Sequence, residues 1–535
     1  MAYKKDYTKF ENLKFWEKKT IGEHLAEWAE KYSDRTACTD IDRRITFSEL
    51  FENAKKISAG LASSGISTGD RVVIQLPNSV AFVETFFGTI LLGAIPIMAL
   101  PAHRKGDLNG IFSLAEPTAY FIPESYMGFE YLPMAKELKA ENSSVKHIFI
   151  ESDKKFGDAV NISSLDGEFT GLPAISPYET ALLLLSGGTT GTPKLIPRTH
   201  ADYMYNANAA ADKCGIDENS AYLEILPSAH NFSLSCPGML GFLSKGAKVV
   251  MAPSSSPDEV LPLIEEEKIT VTAMVPALVP LFSEVMEWGL DYDLSSWKIV
   301  QIGGALLEPH IADKIINDWN CNLMQVFGTA EGLICFTDIN DTEDVIRNYQ
   351  GRPISPADEI KIVDENDNEV PEGEFGELLA RGAYTIDGYY KLPDVNKYCI
   401  TPDGYYRTGD RAAWNSKNGL KMGGRMKEQI NRAGEKVMPA EIEAYLCKNE
   451  SINEAAVVGV PDAELGHKSV AFIMSDKELN RQDIAAFFVE TGVAAYKIPD
   501  AVYNIDVWPV TSVGKIDKKQ LLKMALEMEG NNAES

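Results

Sequence analysis

Six short apolar runs set the frame of this chain: RVVIQLP from Arg71, VKHIFIESD from Val145, AYLEILP from Ala221, AKVVMAP from Ala247, ITVTAMVP from Ile269 and WKIVQIGG from Trp297. RVVIQLP is a short β-branched run that reads as a buried strand, the others are strand-like, and most are followed by a helical pattern. Strands buried on both faces and alternating with amphipathic helices predict layered α/β structure with largely parallel sheets. ITFSELFENAKKISAGLASSG (Ile45 to Gly65) shows the unit in small: a strand-like start, an amphipathic helix and a terminating glycine. After about Gly376 the texture changes to GELLARG, DGYYRTGD and NGLKMGGR, short runs cut by Gly, Asn and Asp that read as β-hairpins. From Arg425 a mixed segment follows, with PAEIEAYLCKN, EAAVVGVPD, KSVAFIMS and RQDIAAFFVETG. At 535 residues the chain is too long for one core, so residues 1–424 are expected to form a large N-terminal unit of α/β subdomains plus a β-rich subdomain. Residues 425–535 form a small α+β unit, and the polar tail EMEGNNAES reads as disordered.

A net charge of −27 opposes nucleic-acid or anionic-membrane binding, because the long-range field repels polyanions. FFGTILLGAIPIMALPA from Phe86 is broken by Gly88, Gly93, Pro96 and Pro101, and reads as a buried helix feeding a buried strand instead of a membrane span. The seven cysteines are scattered and never paired as CxxC, which speaks against a disulfide framework or a zinc site. With no apolar stretch at the N-terminus, the expectation is a cytoplasmic protein.

LLLLSGGTTGTPKLIPRTH, from Leu182 to His200, carries the chemistry. A Walker A loop places glycine before its lysine and a magnesium-binding hydroxyl after it. Here Pro193 precedes Lys194 and Leu195 follows, which disfavours a P-loop ATPase. Ser186, Gly187, Gly188, Thr189, Thr190, Gly191 and Thr192 nonetheless offer backbone N–H groups and hydroxyls to a polyanion with little bulk; the alternative is an exposed Ser/Thr/Gly loop. HNFSLSCPG brings His230 and Asn231 just after a strand, although a lone histidine is more often a structural hydrogen-bonder. QIGGALL and QVFGTAEG end two further strands in small residues, the second adding Glu331. YYRTGD presents Asp410 on a turn, as a ribose acceptor or an ordinary Asx-turn residue, and PVTSVGKIDKK carries Lys515 on a glycine turn, alone no more than a surface charge.

Taken in this order, and with LPAHR, IPRTH, EQINRAGEKV and AAYKIPD, these motifs resemble the adenylate-forming superfamily, and within it the stand-alone aryl-acid AMP ligases of siderophore biosynthesis. The resemblance implies the adenylate-forming fold with a mobile C-terminal domain, ATP and Mg²⁺. It also implies two half-reactions: carboxylate attack on the α-phosphorus of ATP, then displacement of AMP by a thiol. Residues Ser186 to Gly191 and Lys194 would embrace the β- and γ-phosphates, with Thr190 and Thr329 on phosphate oxygens and Glu331 on the metal. Gly303, Gly304 and Ala305 would flank adenine, opposite Gln325, Val326, Phe327 and Gly328; Asp410 would take the ribose hydroxyls, and Arg425 would sit over the ribose or phosphate. Lys515 would bridge substrate carboxylate and ribose, Lys427 would be the hinge and Gly434 would face the thiol tunnel. Catalysis would rest on Lys515, Glu331, Thr190 and His230.

The aryl acid would lie among His230, Asn231, Phe232, Cys236, Gly304, Gly328, Ala330 and Ile334. Asn231, able to donate and accept, would meet the ring's 2-hydroxyl. Cys236, where dihydroxybenzoate ligases carry serine, leans toward salicylate, although it reads equally as a core cysteine. Phe232 and Ser233 depart from the usual Tyr-Pro, leaving room for an unusual acid. The acceptor would be the phosphopantetheine thiol of an aryl carrier protein, docking on a patch for which Lys515, Lys518 and Lys519 are candidates. The rivals are an aryl-CoA synthetase and, from another class, a catalytically silent adenylate-binding sensor, which would be expected to have lost Lys515 or Glu331.

Overall fold

The computed structural model describes residues 4–186, 194–289, 292–307, 309–425, 430–437, 439–509 and 516–533. Two large sheets carry the bulk of the chain. In the first, Thr36–Thr39, Lys248–Met251, Ala221–Glu224, Val271–Met274, Ile299–Gly303 and Asn322–Thr329 run parallel side by side, with antiparallel strands only at its margins. The second is parallel through Ile95–Met98, Arg71–Ile74, Ala119–Pro123 and His147–Glu151, and ends in the antiparallel hairpin Thr180–Ser186/Lys194–Thr199. All six runs that announced strands lie in these sheets.

The helices form where the sequence supplies their ends. Phe47–Ser63 begins with a capping box: Thr46 Oγ1 accepts the Glu49 N–H at 3.2 Å, and the Glu49 carboxylate accepts the Thr46 N–H at 2.8 Å. It stops at Gly65, whose φ of +84° is left-handed. Val80–Leu91, which takes in the start of the run considered for a membrane from Phe86, is buried along its whole length and leads into Ile95–Met98. Its Phe82, Phe86 and Phe87 join one apolar cluster with Val72 and Ile74 of one sheet and Val249 and Met251 of the other. Among the described residues no helix is long and apolar enough to cross a membrane.

Glu359–Val363, Gly376–Arg381, Tyr406–Asn415 and Gly419–Arg425 build the expected antiparallel β-subdomain. The C-terminal domain is an antiparallel pair, Ile452–Asp462 and Gly466–Ser475, flanked by Ala501–Asn504 and the short hairpin Ile430–Arg432/Glu435–Val437. The expectation of a disordered tail is corrected: Lys518–Ala533 is a helix that carries EMEGNNA with it. Leu521 and Ala525 pack against Ala456 and Val458 of the domain's sheet, and this docked face orders a segment whose composition alone reads as solvated.

Candidate active site

Two strand ends meet at the carboxyl edge of the first sheet, where open α/β folds leave a crevice for ligands. Gly303 closes Ile299–Gly303, Thr329 closes Asn322–Thr329, and Gly303 pairs in register with Val326. A Cβ on Gly303 would stand 2.8 Å from the Val326 carbonyl and 3.2 Å from the Phe232 ring, so the close approach of these segments requires glycine there. Gly304 follows at φ +83° with its backbone exposed, and Ala305 is half-buried beside it.

On the phosphate side Ser186 and Lys194 are paired at the mouth of their hairpin. The loop they bracket, with Gly187, Gly188, Thr189, Thr190 and Gly191, lies outside the described residues. Lys194 is buried, its Nζ 4.7 Å from the centre of the Tyr389 ring, and the Tyr389 hydroxyl donates to Glu331 Oε1 at 2.7 Å. Beside Glu331, the buried Thr329 hydroxyl makes no hydrogen bond among the described residues. An ammonium, a carboxylate and an orphaned hydroxyl gathered in one buried place are the donor set that a polyphosphate with Mg²⁺ needs.

On the opposite side His230 caps the short helix Asn231–Ser235, its Nδ1 accepting the Phe232 N–H at 3.2 Å. His230 is exposed, yet desolvation by the surrounding site, with a smaller push from Lys436, lowers it to about 4, so the ring is a neutral acceptor at physiological pH. Asn231 and Cys236 face one another: Nδ2 donates to Sγ at 3.4 Å, and the thiol donates to the Asn231 carbonyl at 3.4 Å. Burial pushes the Cys236 thiol up to about 12, so it stays protonated. Ile334 is buried and pairs with Gly328 across the adjacent strands, and Ala330 is half-buried.

Two residues tie these sides together, and reading the sequence did not single them out. Arg198 is fully buried and donates to Asp202 Oδ1 at 2.9 Å, Asn206 Oδ1 at 3.1 Å and the Ala330 carbonyl at 3.0 Å. Its guanidinium lies 4.7 Å from the centre of the Tyr203 ring, and the Tyr203 hydroxyl donates to Asn231 Oδ1 at 3.0 Å. An arginine inside the apolar strand KLIPRT was the available signal, since such a charge is buried only when fully partnered.

Two expectations change on the nucleotide side. Asp410 does not sit on a turn: it lies buried within the strand Tyr406–Asn415, directly opposite Arg425, at a register shift that follows Gly409 with φ +70°. The bulge turns a strand residue aside as a loop would, which is why RTGD reads as a turn. Gln325 has no free amide for a base. Its Nε2 donates to the carbonyls of Ile346 and Arg347 at 2.7 and 3.1 Å, its Oε1 accepts from Gln350 at 2.9 Å, and its backbone is bonded to Thr337. Val326 is buried and Phe327 packs against the β-subdomain core.

From the C-terminal domain Gly434 reaches the same edge. Ala433 and Gly434 are both left-handed, at φ +49° and +86°, the pairing of a two-residue hairpin turn that follows the strand twist. A Cβ on Gly434 would fall 2.5 Å from Val275 Cγ1, the atom that also lies 3.4 Å from a Cβ built on Gly304. Lys427 and Lys515 lie outside the described residues.

The model of the AMP-binding enzyme family matches residues 25–390, and that of the AMP-binding enzyme C-terminal domain matches residues 441–515. The 2,3-dihydroxybenzoate-AMP ligase of Bacillus subtilis is 42% identical over 95% of this chain and 94% of its own length. The salicyl-AMP ligase / salicyl-S-ArCP synthetase of Mycobacterium tuberculosis is 38% identical over 95% of this chain and 91% of its own. Among solved structures, apo MbtA of Mycobacterium smegmatis matches with a TM-score of 0.75 at 37% identity, covering 98% of both chains. The chain is therefore a ligase-type enzyme of the AMP-binding family.

Proposed function

We propose that this enzyme activates a 2-hydroxyaryl carboxylic acid, salicylate or 2,3-dihydroxybenzoate, in the cytoplasm and passes the aryl group to the phosphopantetheine thiol of an aryl carrier protein. In the first step a carboxylate oxygen of the acid attacks the α-phosphorus of ATP; the bond to the bridging oxygen breaks and pyrophosphate leaves. In the second, the thiolate attacks the acyl carbon and AMP departs. No protein nucleophile is required, so the chain's task is positioning and charge stabilisation. The observation that carries the reading is the buried Asn231–Cys236 pair joined, through Tyr203 and Arg198, to the strand end bearing Thr329 and Glu331.

Within this reading Lys194, Thr329 and the loop Ser186–Gly191 hold the phosphates, while Glu331 with Thr329 holds Mg²⁺. Bound there, the metal would neutralise charge growing on the phosphates. Gly303, Gly304 and Ala305 flank the adenine, and Asp410 with Arg425 take the ribose. Cys236 leaves no strong donor for a 3-hydroxyl, which favours salicylate. Lys515 reaches in from the C-terminal domain for the first step. For the second, that domain turns about Lys427, at the 424/425 boundary, and presents Gly434 to the incoming thiol. The support for this last point is the turn Ala433–Gly434 resting on Val275.

ATP–pyrophosphate exchange with salicylate, 2,3-dihydroxybenzoate, benzoate and anthranilate tests the substrate class, followed by aryl-thioester formation on a carrier protein against free coenzyme A. Exchange with salicylate above dihydroxybenzoate supports Cys236 as the discriminator. Exchange with none of the four overturns the aryl-acid assignment, and thioester formation on coenzyme A alone overturns the acceptor.

A further inference from the structure

We propose that Tyr203 determines specificity at the ortho position, by locking the Asn231 side-chain amide so that it offers the substrate a donor and not an acceptor. The inference rests on the aryl-acid reading above and deepens it.

A free asparagine can turn its amide end for end, meeting an ortho hydroxyl or an ortho amine equally well. Here the amide is not free. Its Oδ1 accepts from the Tyr203 hydroxyl at 3.0 Å, and its Nδ2 gives one proton to Cys236 Sγ at 3.4 Å. The thiol cannot return that bond, because its own proton goes to the Asn231 backbone carbonyl. Tyr203 is itself fixed: it is fully buried on the helix His200–Lys213, beneath the Arg198 guanidinium that Asp202, Asn206 and the Ala330 carbonyl hold in place. Burial keeps the phenol un-ionised, with Arg198 pulling only weakly the other way, so its oxygen carries a proton to give.

What remains is the second N–H of Asn231 Nδ2. A 2-hydroxyl suits it, accepting that N–H while donating its own proton to the neighbouring carboxylate of the same molecule. A 2-amino group does not: its lone pair is delocalised into the ring, so two N–H groups would face each other. An unsubstituted ring leaves the Asn231 N–H unpaired. Sites built around a hydrogen bond reject partners that cannot complete it, here by roughly ten- to hundredfold for one neutral bond.

The test is the ratio of kcat/KM for salicylate over anthranilate in ATP–pyrophosphate exchange, for the full chain and for Tyr203→Phe. Phenylalanine keeps the ring under Arg198 and removes only the hydroxyl. The ratio is expected to fall at least tenfold, because the released amide can present its oxygen to the amine; general damage to the site would lower both activities and leave the ratio unmoved. A second measurement needs no variant. With the native enzyme, 2-fluorobenzoate, a small acceptor without a proton to give, is expected to compete with salicylate better than anthranilate does. An unmoved ratio in folded Tyr203→Phe, or anthranilate competing as well as 2-fluorobenzoate, overturns the role of Tyr203 alone. Native enzyme inactive with every aryl acid overturns the functional reading and this inference with it.

Discussion

Glu224 stands at the end of a central strand, fully buried, with neither carboxylate oxygen hydrogen-bonded among the described residues. Burial raises it from 4.5 to about 8; Ser228 opposes this only partly, as its hydroxyl points to Asn78 Oδ1 at 2.9 Å. The folded state thus holds a proton that the unfolded state loses above about pH 4.5. The stability tied to this group is fully present below pH 4.5 and is lost as pH rises toward 8. Glu224→Gln keeps the shape without the ionisation. Its gain over the native chain should be near zero at pH 4.5 and reach about 3 kcal/mol by pH 7, read from urea unfolding at both values. A gain of equal size at both would show that packing, not ionisation, sets the effect. The same scale separates what the sequence displayed from what it hid. Glu331, Asn231 and Cys236 announce themselves in short motifs, whereas Tyr203 and Arg198 act through partners such as Asp202, Asn206 and Ala330 that only folding brings together.

Among the elements, three histidines do one job, His103 and His200 buried and His230 exposed. His103 Nδ1 accepts the Leu100 N–H at 3.1 Å, His200 Nδ1 accepts the Ile21 N–H at 3.2 Å, and His230 Nδ1 caps the helix that bears Asn231. Each must be neutral to accept, and desolvation lowers each from 6.5 to about 4. The signs run opposite to Glu224. Above pH 6.5 both folded and unfolded chains are neutral at these sites, and between 6.5 and 4 only the unfolded chain takes up the proton, so stability falls as pH falls. At pH 5 the buried His103 and His200 should each account for about 2 kcal/mol of that loss. His200→Asn, at the junction of two helices, should unfold with a shallower decline between pH 7 and pH 5 than the native chain, whatever its absolute stability. For the same reason the exchange rate should show no ionisation near pH 6.5 that vanishes in His230→Asn; one that does would mean the ring titrates during turnover. Element identity itself was legible, because strands buried on both faces and capped helices leave strong local patterns. The tail helix and the bulge at Asp410 were not, since a docking face orders one and a register shift with Arg425 creates the other.

At the scale of the molecule, a buried cation helps to fasten the C-terminal domain to the large one. Lys497 Nζ pairs with Asp107 and, at 2.7 Å, with Glu441 Oε1; Asp107 meanwhile caps its own helix by accepting the Arg104 N–H, and accepts the Ala494 N–H across the interface. Gly106 and Gly492 add a backbone hydrogen bond at 3.0 Å, and the Tyr445 hydroxyl donates to the Gly106 carbonyl at 2.8 Å. Burial works against the charge on Lys497, yet Tyr496, Asp107 and Glu441 more than offset it and hold its pKa above the ordinary lysine value. Replacing the lysine strands a carboxylate whose side chain is only 3% exposed, a change that costs about 3–5 kcal/mol where one partner of a buried pair is removed. Because the pair spans two domains, that energy acts on their docking before it acts on either core. Lys497→Met should therefore loosen the docked arrangement, raising the radius of gyration in small-angle scattering while each domain keeps its own unfolding transition. Asp107→Leu combined with Lys497→Met should recover part of the loss, since a buried ion pair replaced by apolar residues leaves no charge behind. If domain rotation about Lys427 governs the second step as proposed, the single variant should slow aryl-thioester formation more than pyrophosphate exchange. Scattering identical to that of the native chain would place the hold on the Gly106–Gly492 and Tyr445 contacts instead.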